Sequence, residues 1–238
     1  MKISVICAME EEIRTLLTKL EDVQQHTVAG NTFYKGQLYG HEVTLVESGI
    51  GKVQAGMTTA ILLAEEKPDV VINTGSAGGI GEGLHVGDVV ISSEVAYHDA
   101  EATAFGYLPG QLPQQPQRFE SDAKIVQQIE AAAKAVDLQP RVGLIVTGDQ
   151  FVASQDKIKA IKEIYPEALS CEMEGAAIGQ VATQFKIPFV VIRAMSDVGD
   201  EEAGVTFDEF IVEAGQKSAA MLLNFLKKAN SIINPNRN

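Results

Sequence analysis

The chain has 238 residues, 45% of them hydrophobic, and a formal net charge of −13 at pH 7. This length and composition suit one large α/β domain or two small ones with a substantial buried core. The acidic balance argues against sequence-independent binding to nucleic-acid phosphates, which depends on clustered Lys and Arg.

The N-terminal apolar run and the cysteines bear on the compartment. The run stops at Glu10, so it is too short for a signal-peptide core or a membrane span. Cys7 and Cys171 lie in apolar, strand-like runs and are expected to be small buried residues rather than a disulfide or metal ligands. The four histidines show no spacing suited to a metal site. We therefore expect a cytoplasmic protein.

Apolar periodicity predicts strands that alternate with helices along the chain. The predicted strands are Lys2–Ala8, Asn31–Leu38, Glu42–Glu47, Asp69–Asn73, Gly87–Val95, Arg141–Val146 and Pro188–Ile192. The predicted helices are Glu10–Glu21, Val53–Glu65, Ser121–Val136, Gln155–Ile164, Gly175–Phe185 and Asp208–Lys228. This alternation argues for a largely parallel or mixed sheet that helices cover on both faces.

Residues 97–119 depart from this alternation and form a long loop rich in Gly, Pro and Gln. Long loops inside compact domains are usually functional or disordered. The loop is either a mobile surface excursion or a lid or subunit contact, because Phe105 and Tyr107 would otherwise be stranded in water.

Acidic and polar side chains occur where apolar runs end. Arg193, Ser196 and Asp197 follow the last predicted strand, and Glu172 and Glu174 lie just before a predicted helix. Parallel sheets place their chemistry at the carboxyl ends of strands, and two carboxyl groups there suit acid-assisted bond cleavage. In an extended segment the two glutamates would face the same side, whereas a helix beginning at Glu174 would make them diverge.

Three consecutive glutamates, Glu10, Glu11 and Glu12, follow the first predicted strand. Acidic residues favour a helix N-terminus, which accounts for at least two of them. Because a helix turns about 100° per residue, only one of the three can point into a site. The periodicity alone leaves open which one.

The segment Thr74–Gly81 fits the glycine pattern with which dehydrogenases hold a dinucleotide pyrophosphate. Its late position in the chain and the lack of a following Tyr-x-x-x-Lys argue against a nicotinamide dehydrogenase. A glycine-rich turn after a strand still lets the backbone approach a ligand closely. We expect it to line a site, with Ser76 as its polar side chain.

Many short motifs, each weak alone, occur together in order along nearly the whole chain. They are Ala8–Glu12, Ser48–Lys52, Asn73–Gly79, Val86–Val90, Tyr97–Ala100, Thr103–Tyr107, Gly148–Asp149, Glu172–Glu174, Ser196–Val198 and Phe207–Phe210. In this order they resemble the bacterial 5′-methylthioadenosine/S-adenosylhomocysteine nucleosidases, within the purine nucleoside phosphorylase-like superfamily. Gly175 and Gly199 stand where many relatives have alanine, and Cys7 where many have glycine, but none replaces a side chain with assigned chemistry.

The resemblance implies one three-layer α/β domain over residues 1–230, with a mixed central sheet, and a frayed tail at residues 231–238. It also implies hydrolysis of the N-glycosidic bond of 5′-methylthioadenosine, S-adenosylhomocysteine and 5′-deoxyadenosine, in methionine salvage and S-adenosylhomocysteine recycling. Cleavage leaves positive charge on the ribose and negative charge on adenine, so the site must stabilise both. Water is the co-substrate, and no metal or organic cofactor is implied.

By the same resemblance, Asp197 protonates the purine N7, Glu12 activates water and Glu174 holds the ribose hydroxyls. Asp197 must then remain protonated near neutral pH, which requires a raised pKa. Ser76 is expected to orient Asp197, and Arg193 to support the ribose network.

The resemblance also implies the remaining substrate contacts. The further binding residues are Met9, Ile50, Gly78, Phe151, Val152, Glu172, Met173, Ser196 and Phe207. Adenine is expected at Phe151 and Val152, and the apolar 5′ group rests on four others, namely Met9, Ile50, Met173 and Phe207. Phe105, Tyr107 and Pro113 are expected to reach in from a second subunit, which implies a homodimer whose residues 98–116 contribute to the neighbouring site.

Two other functions compete with hydrolysis. A phosphorylase of this superfamily uses phosphate instead of water and needs clustered arginines to hold it. Asn73 stands where many such relatives place an arginine, and a Glu12 carboxylate beside the ribose would repel phosphate. A non-catalytic nucleoside-binding protein could keep Phe151 and Ser76 but would need neither Glu12 nor Asp197. Hydrolysis is therefore the favoured function.

Overall fold

The computed structural model describes residues 1–200 and 202–233. The strands are β1 Lys2–Cys7, β2 Glu21–Val28, β3 Asn31–Leu38, β4 His41–Glu47, β5 Val70–Gly79, β6 Val89–Tyr97, β7 Arg118–Glu120, β8 Arg141–Thr147, β9 Ser170–Glu172 and β10 Phe189–Asp197. The α-helices are α1 Glu10–Leu17, α2 Lys52–Glu66, α3 Ala123–Lys134, α4 Gln155–Ile164, α5 Gly175–Phe185 and α6 Ala203–Ile233. None of the helices within these ranges is both long enough and apolar enough to span a bilayer.

All ten strands belong to one mixed sheet. At its centre β1 pairs in parallel with β4 and β5, and β5 pairs in parallel with β10. Beyond β10 the sheet continues through β6, β8 and β9, and β9 returns to pair with the end of β5. The carboxyl ends of β1, β5 and β10 therefore meet at one edge.

Helices cover both faces of this sheet, which confirms the predicted architecture. Helices α1, α3 and α6 pack in one apolar core, and α2 and α5 pack in a second. Strand β10 shows why its sequence is a continuous apolar run: Val190 and Ile192 belong to the first core, whereas Val191 and Met195 belong to the second. A strand buried on both faces has no polar side to alternate with its apolar one.

Three strands were not predicted, namely β2, β7 and β9. The side chains of β2 are nearly all exposed at the edge of the sheet, so its sequence shows no apolar alternation. The predicted first helix accordingly ends early, at Leu17 instead of Glu21. Residues 234–238, part of the tail expected to fray, lie outside the described residues, and α6 continues to Ile233.

The expected glycine-rich turn is wrong, because β5 continues as a strand through Gly75 to Gly79. Partner strands on both sides explain the extension: β10 pairs along this segment, and Gly78 lies opposite Cys171 of β9. Strand β10 likewise extends beyond Ile192 to Asp197. Both extensions carry polar side chains into the interior of the molecule.

Candidate active site

A cavity of about 580 Å³, including the open space at its mouth, lies where β1, β5 and β10 end. The predicted site residues that line it are Met9, Glu12, Ile50, Ser76, Gly78, Phe151, Val152, Glu172, Met173, Glu174, Ser196, Asp197 and Phe207. Sequence reasoning missed four lining residues, Ala8, Ala77, Gln150 and Cys171. Each is adjacent to a predicted one, and Ala8 and Ala77 also lie within the motifs Ala8–Glu12 and Asn73–Gly79.

Glu12 is the glutamate of the three that enters the cavity, with 2% of its surface exposed. It occupies the third position of α1, and its Oε2 accepts hydrogen bonds from the N–H groups of Ala8 (2.9 Å) and Met9 (3.2 Å). Its Oε1 accepts from the N–H (2.9 Å) and Oγ (3.0 Å) of Ser76. A Cβ at Gly75 would lie 2.6 Å from Oε1, so only glycine permits this approach. Four donors thus hold the carboxylate at the cavity wall.

Asp197 is buried at the end of β10, 2% exposed. Ser196 Oγ donates to its Oδ2 (2.9 Å) and the Gly199 N–H to its Oδ1 (2.8 Å). Burial raises the pKa of Asp197, although these two hydrogen bonds act in the opposite direction. A Cβ at Gly78 would lie 2.9 Å from Oδ1. The carboxyl group therefore combines an open approach with a pKa above that of an ordinary aspartate.

An irregularity in β10 brings two consecutive side chains into the cavity. The pairing with β5 shifts register between Met195 and Asp197, and both Ser196 and Asp197 line the cavity. In a regular strand, successive side chains face opposite sides of the sheet. The shift thus re-aims one of them, as β-bulges beside active sites do.

The structure corrects the role expected of Ser76. We expected it to orient Asp197, but both its N–H and its hydroxyl donate to Glu12. The extension of β5 explains the difference, because it carries Ser76 as a strand residue past the N-terminus of α1. Ser196, predicted as a substrate contact, is the residue whose hydroxyl donates to Asp197.

Glu172 lines the cavity, and its carboxylate is ion-paired with the buried Arg193. Its Oε2 accepts from the N–H groups of Glu174 (3.1 Å) and Gly175 (2.7 Å) and from Arg193 Nη2, and its Oε1 accepts from the Thr147 hydroxyl. Glu172 ends β9, and Glu174 caps α5. A helix thus begins next to Glu174, but the two glutamates do not diverge, because both line the cavity and both carboxylates approach Nη2 of Arg193.

Glu174 keeps more of its carboxylate available. Its Oε1 accepts from the Gly51 N–H (2.9 Å), and its Oε2 lies 3.7 Å from Arg193. Burial first, and the nearby Glu172 charge second, raise the pKa of Glu174 to about 8, against the opposing charge of Arg193. A buried carboxyl group with spare hydrogen-bonding capacity suits a polar ligand such as a sugar hydroxyl.

Arg193 does not line the cavity but lies buried behind it, 1% exposed. Its Nη2 donates to Asn73 Oδ1 (2.6 Å), and Asn73 Nδ2 donates to the backbone carbonyl of Ile6 (2.9 Å). From this position Arg193 pairs with the carboxylates of Glu172 and Glu174. Asn73, which stands where many phosphorylases of the superfamily have an arginine, is used to hold it.

Apolar side chains form the outer part of the cavity. The rings of Phe151 and Phe207 meet edge to face, with centroids 5.7 Å apart. Phe151 is 45% exposed and Ile50 is 54% exposed. Aromatic and aliphatic surface of this kind at a cavity mouth suits a ligand with flat and apolar parts.

The residues expected to reach a neighbouring site lie outside this cavity. Phe105 is 82% exposed, Tyr107 is half-buried and Pro113 is exposed. Residues 103–105 form a single turn of 3₁₀ helix. This segment thus presents apolar side chains to solvent in the single chain.

The two cysteines are free and buried, as predicted. Cys171 lines the cavity, and burial raises the pKa of its thiol, which makes it a poor nucleophile. Among residues 1–200 and 202–233, no group of three or more His, Cys, Asp or Glu side chains is arranged to hold a metal ion.

Comparison with known proteins gives one consistent result. The family model described as Phosphorylase superfamily matches residues 2–227. A 5′-methylthioadenosine/S-adenosylhomocysteine nucleosidase from Tolumonas auensis is 50% identical over 232 residues, which cover 96% of this chain and 100% of the relative.

Solved structures agree with this result. The S. pneumoniae nucleosidase, solved with the transition-state inhibitor MT-ImmA, is 54% identical with a TM-score of 0.92, over 95% of this chain and 99% of that one. The nucleosidase from Colwellia psychrerythraea 34H, solved with adenine, is 44% identical with a TM-score of 0.92, over 95% and 94% of the two chains. The chain therefore belongs to the 5′-methylthioadenosine/S-adenosylhomocysteine nucleosidase family of the phosphorylase superfamily.

Proposed function

We propose that this protein hydrolyses the N-glycosidic bond of 5′-methylthioadenosine, S-adenosylhomocysteine and 5′-deoxyadenosine, releasing adenine and the corresponding ribose. The observation that carries the proposal is the pair of buried carboxyl groups, Glu12 and Asp197, on the wall of one cavity. They come from different elements and have different hydrogen-bond partners. Such a pair suits a reaction that needs a proton donor and a proton acceptor at once.

In this scheme Asp197 is the acid. When the glycosidic bond breaks, its electron pair stays on the purine, and a proton delivered to N7 neutralises the leaving base. The raised pKa of Asp197 keeps the proton on the carboxyl group at a higher pH than is usual for aspartate. Ser196 and Gly199 hold the group in one orientation.

Glu12 is the base in this scheme. Loss of the purine leaves positive charge on the ribose, and a water molecule adds its oxygen to C1′ while Glu12 accepts its proton. The four donors around the carboxylate hold it on the cavity wall. A carboxylate here would repel phosphate, so water is the co-substrate. The scheme uses no metal or organic cofactor.

The remaining lining residues bind the substrate. Glu174 accepts hydrogen bonds from the ribose hydroxyls, and Arg193 lies behind it and pairs with both Glu172 and Glu174. Adenine lies against Phe151 and Val152. The apolar 5′ group contacts four other lining residues, namely Met9, Ile50, Met173 and Phe207.

The protein acts as a homodimer in this proposal. Residues 98–116 of a second copy, with Phe105, Tyr107 and Pro113, cover the 5′ end of the neighbouring cavity. The support is the exposure of apolar side chains in this segment, since large exposed apolar groups mark interaction sites. We also infer a cytoplasmic location, which the two free thiols favour.

The test is adenine release from 5′-methylthioadenosine by purified protein, with and without added phosphate. Release without phosphate, with free methylthioribose as the second product, is expected. Release that requires phosphate would make the protein a phosphorylase and would overturn the role of Glu12. Tight nucleoside binding without release would make it a non-catalytic binding protein.

A further inference from the structure

An ion cluster of Lys52, Asp99 and Asp149 lies beside the cavity, and the roles proposed above do not use it. Lys52 Nζ is 2.8 Å from both carboxylate oxygens of Asp99 and 3.6 Å from Asp149 Oδ2. Two backbone groups complete the cluster: the Lys52 N–H donates to Asp149 Oδ1 (2.8 Å), and the Asp149 N–H donates to Asp99 Oδ2 (2.9 Å). Each of the three residues thus contacts both of the others.

The three residues come from segments far apart in the chain. Lys52 is the first residue of α2, Asp99 follows the end of β6, and Asp149 follows the end of β8. Only the folded sheet brings the ends of these elements together. The cluster therefore adds to the pairing of β6 with β8 a link from both strand ends to the start of α2.

The loop before Lys52 carries one wall of the cavity. Ile50 lines the cavity directly. Gly51 donates its N–H to Oε1 of Glu174 (2.9 Å), the residue proposed to hold the ribose. A displacement of Lys52 would therefore move contacts on the ribose and 5′ side.

The loop after Asp149 carries a further part of the cavity wall. Residues 150–152 immediately follow it, and all three line the cavity. Asp99 in turn lies at the start of segment 98–116. The cluster thus connects three segments: the loop on the adenine side of the cavity, the loop on its ribose side, and the segment proposed to reach a second copy.

The charges of the cluster depend on one another. The side chain of Asp99 is 12% exposed and that of Lys52 is 25% exposed, so the pair is worth more than an exposed surface pair. Burial alone would raise the pKa of Asp99, but the hydrogen bonds from Lys52 and from the Asp149 N–H lower it below its usual value. Without Lys52, two neighbouring carboxylates would lose the cation between them and would repel each other.

We infer that Lys52 is a positioning residue that, with Asp99 and Asp149, sets the spacing between the adenine side and the ribose side of the cavity. This inference rests on the proposed function. The acid and the base are held by other elements, since Asp197 ends β10 and Glu12 lies in α1. Loss of Lys52 should consequently weaken substrate binding more than it slows the chemical step.

The test compares K52M with K35M. Lys35 is a matched control because it also pairs with two carboxylates, Glu42 and Glu66, but does so on β3 and away from the cavity. In K52M the KM for 5′-methylthioadenosine should rise about tenfold while kcat falls less than about threefold. K35M should change neither, and K52R, which keeps the charge, should recover most of the wild-type KM.

A second readout does not depend on activity. Hydrogen exchange of the ligand-free protein should speed up in K52M at residues 48–54 and 148–153, and should stay unchanged there in K35M. If K52M does not fold, D149A serves instead, since Asp149 is half exposed, and it should raise KM about threefold.

Two results would overturn the inference. One is a K52M protein with wild-type KM and wild-type exchange in both segments. The other is a K35M protein with the same changes as K52M, which would show a general loss of stability. If the wild-type protein releases no adenine, the proposed function fails, and the exchange comparison still decides whether Lys52 positions the two loops.

Discussion

The cavity and segment 98–116 differ in the kind of side chain that each buries or exposes to solvent. In the cavity, ionisable groups are buried, with Glu12 and Asp197 each 2% exposed. Hydrogen bonds from neighbouring protein groups hold both carboxyl groups in place. In the segment, large apolar groups face solvent, with Phe105 82% and Leu108 55% exposed. Burying charge is costly unless it is paired, whereas exposed apolar surface is relieved by a partner. The single chain thus contains a complete pair of carboxyl groups but leaves its apolar segment uncovered.

If this contrast is correct, substitutions of the carboxyl groups in the cavity should lower kcat. The largest fall should come from D197N. The amide keeps the shape of the side chain but cannot deliver a proton, so kcat should fall by about 10²–10⁴-fold. Adenine release from 5′-methylthioadenosine measures the loss, and thermal unfolding checks that the fold is intact. A variant with near-normal kcat would remove Asp197 from the role of acid.

E12Q should have the next largest effect, a fall in kcat of about 10²-fold, because the amide cannot accept the proton from water. The matched control is E11Q, which changes the adjacent glutamate outside the cavity. E11Q should leave kcat unchanged. Equal losses in both variants would show that α1, rather than one carboxylate, is what the reaction needs.

E174Q tests the ribose side through the pH dependence of stability. Because the pKa of Glu174 is raised to about 8 in the folded protein, the folded state binds more protons than the unfolded state between about pH 4.5 and pH 8. The wild-type free energy of unfolding should therefore lose this contribution as pH rises through that range. E174Q cannot ionise and should lack this pH dependence of stability. Parallel pH profiles from denaturant unfolding of the two proteins would contradict this.

F105A should have the smallest effect, and it tests the exposed segment 98–116 instead of the cavity. If Phe105 covers a neighbouring cavity, its removal should raise KM about fivefold, equivalent to about 1 kcal/mol of apolar contact, with little change in kcat. F185A is the control, because Phe185 is also exposed (44%) but lies at the end of α5, outside the segment and the cavity. Sedimentation should show that both variants form dimers and that the F105A dimer dissociates more readily than the F185A dimer. Equal KM values for F105A and wild type would show that Phe105 does not contribute to the neighbouring site.

The sequence by itself determined which residues could carry chemistry and most of the elements that hold them. Helices α2 to α5 and strands β3, β4 and β8 follow from periodicity to within a few residues, because each buries a stripe or a face that local spacing reveals. Asp197 and Glu174 stood out for a related reason: polar groups directly beside buried apolar runs have few structural uses.

Only the tertiary structure decided how those residues are used. The extension of β5 and β10 as paired strands decides which carboxyl groups accept hydrogen bonds from Ser76 and Ser196. A glycine-rich sequence has no local preference for that extended conformation. The cluster around Lys52 arises in the same way, from contacts between distant segments. Periodicity reports how a residue relates to its neighbours along the chain, whereas hydrogen bonds and ion pairs across the sheet depend on long-range contacts that exist only once the chain has folded.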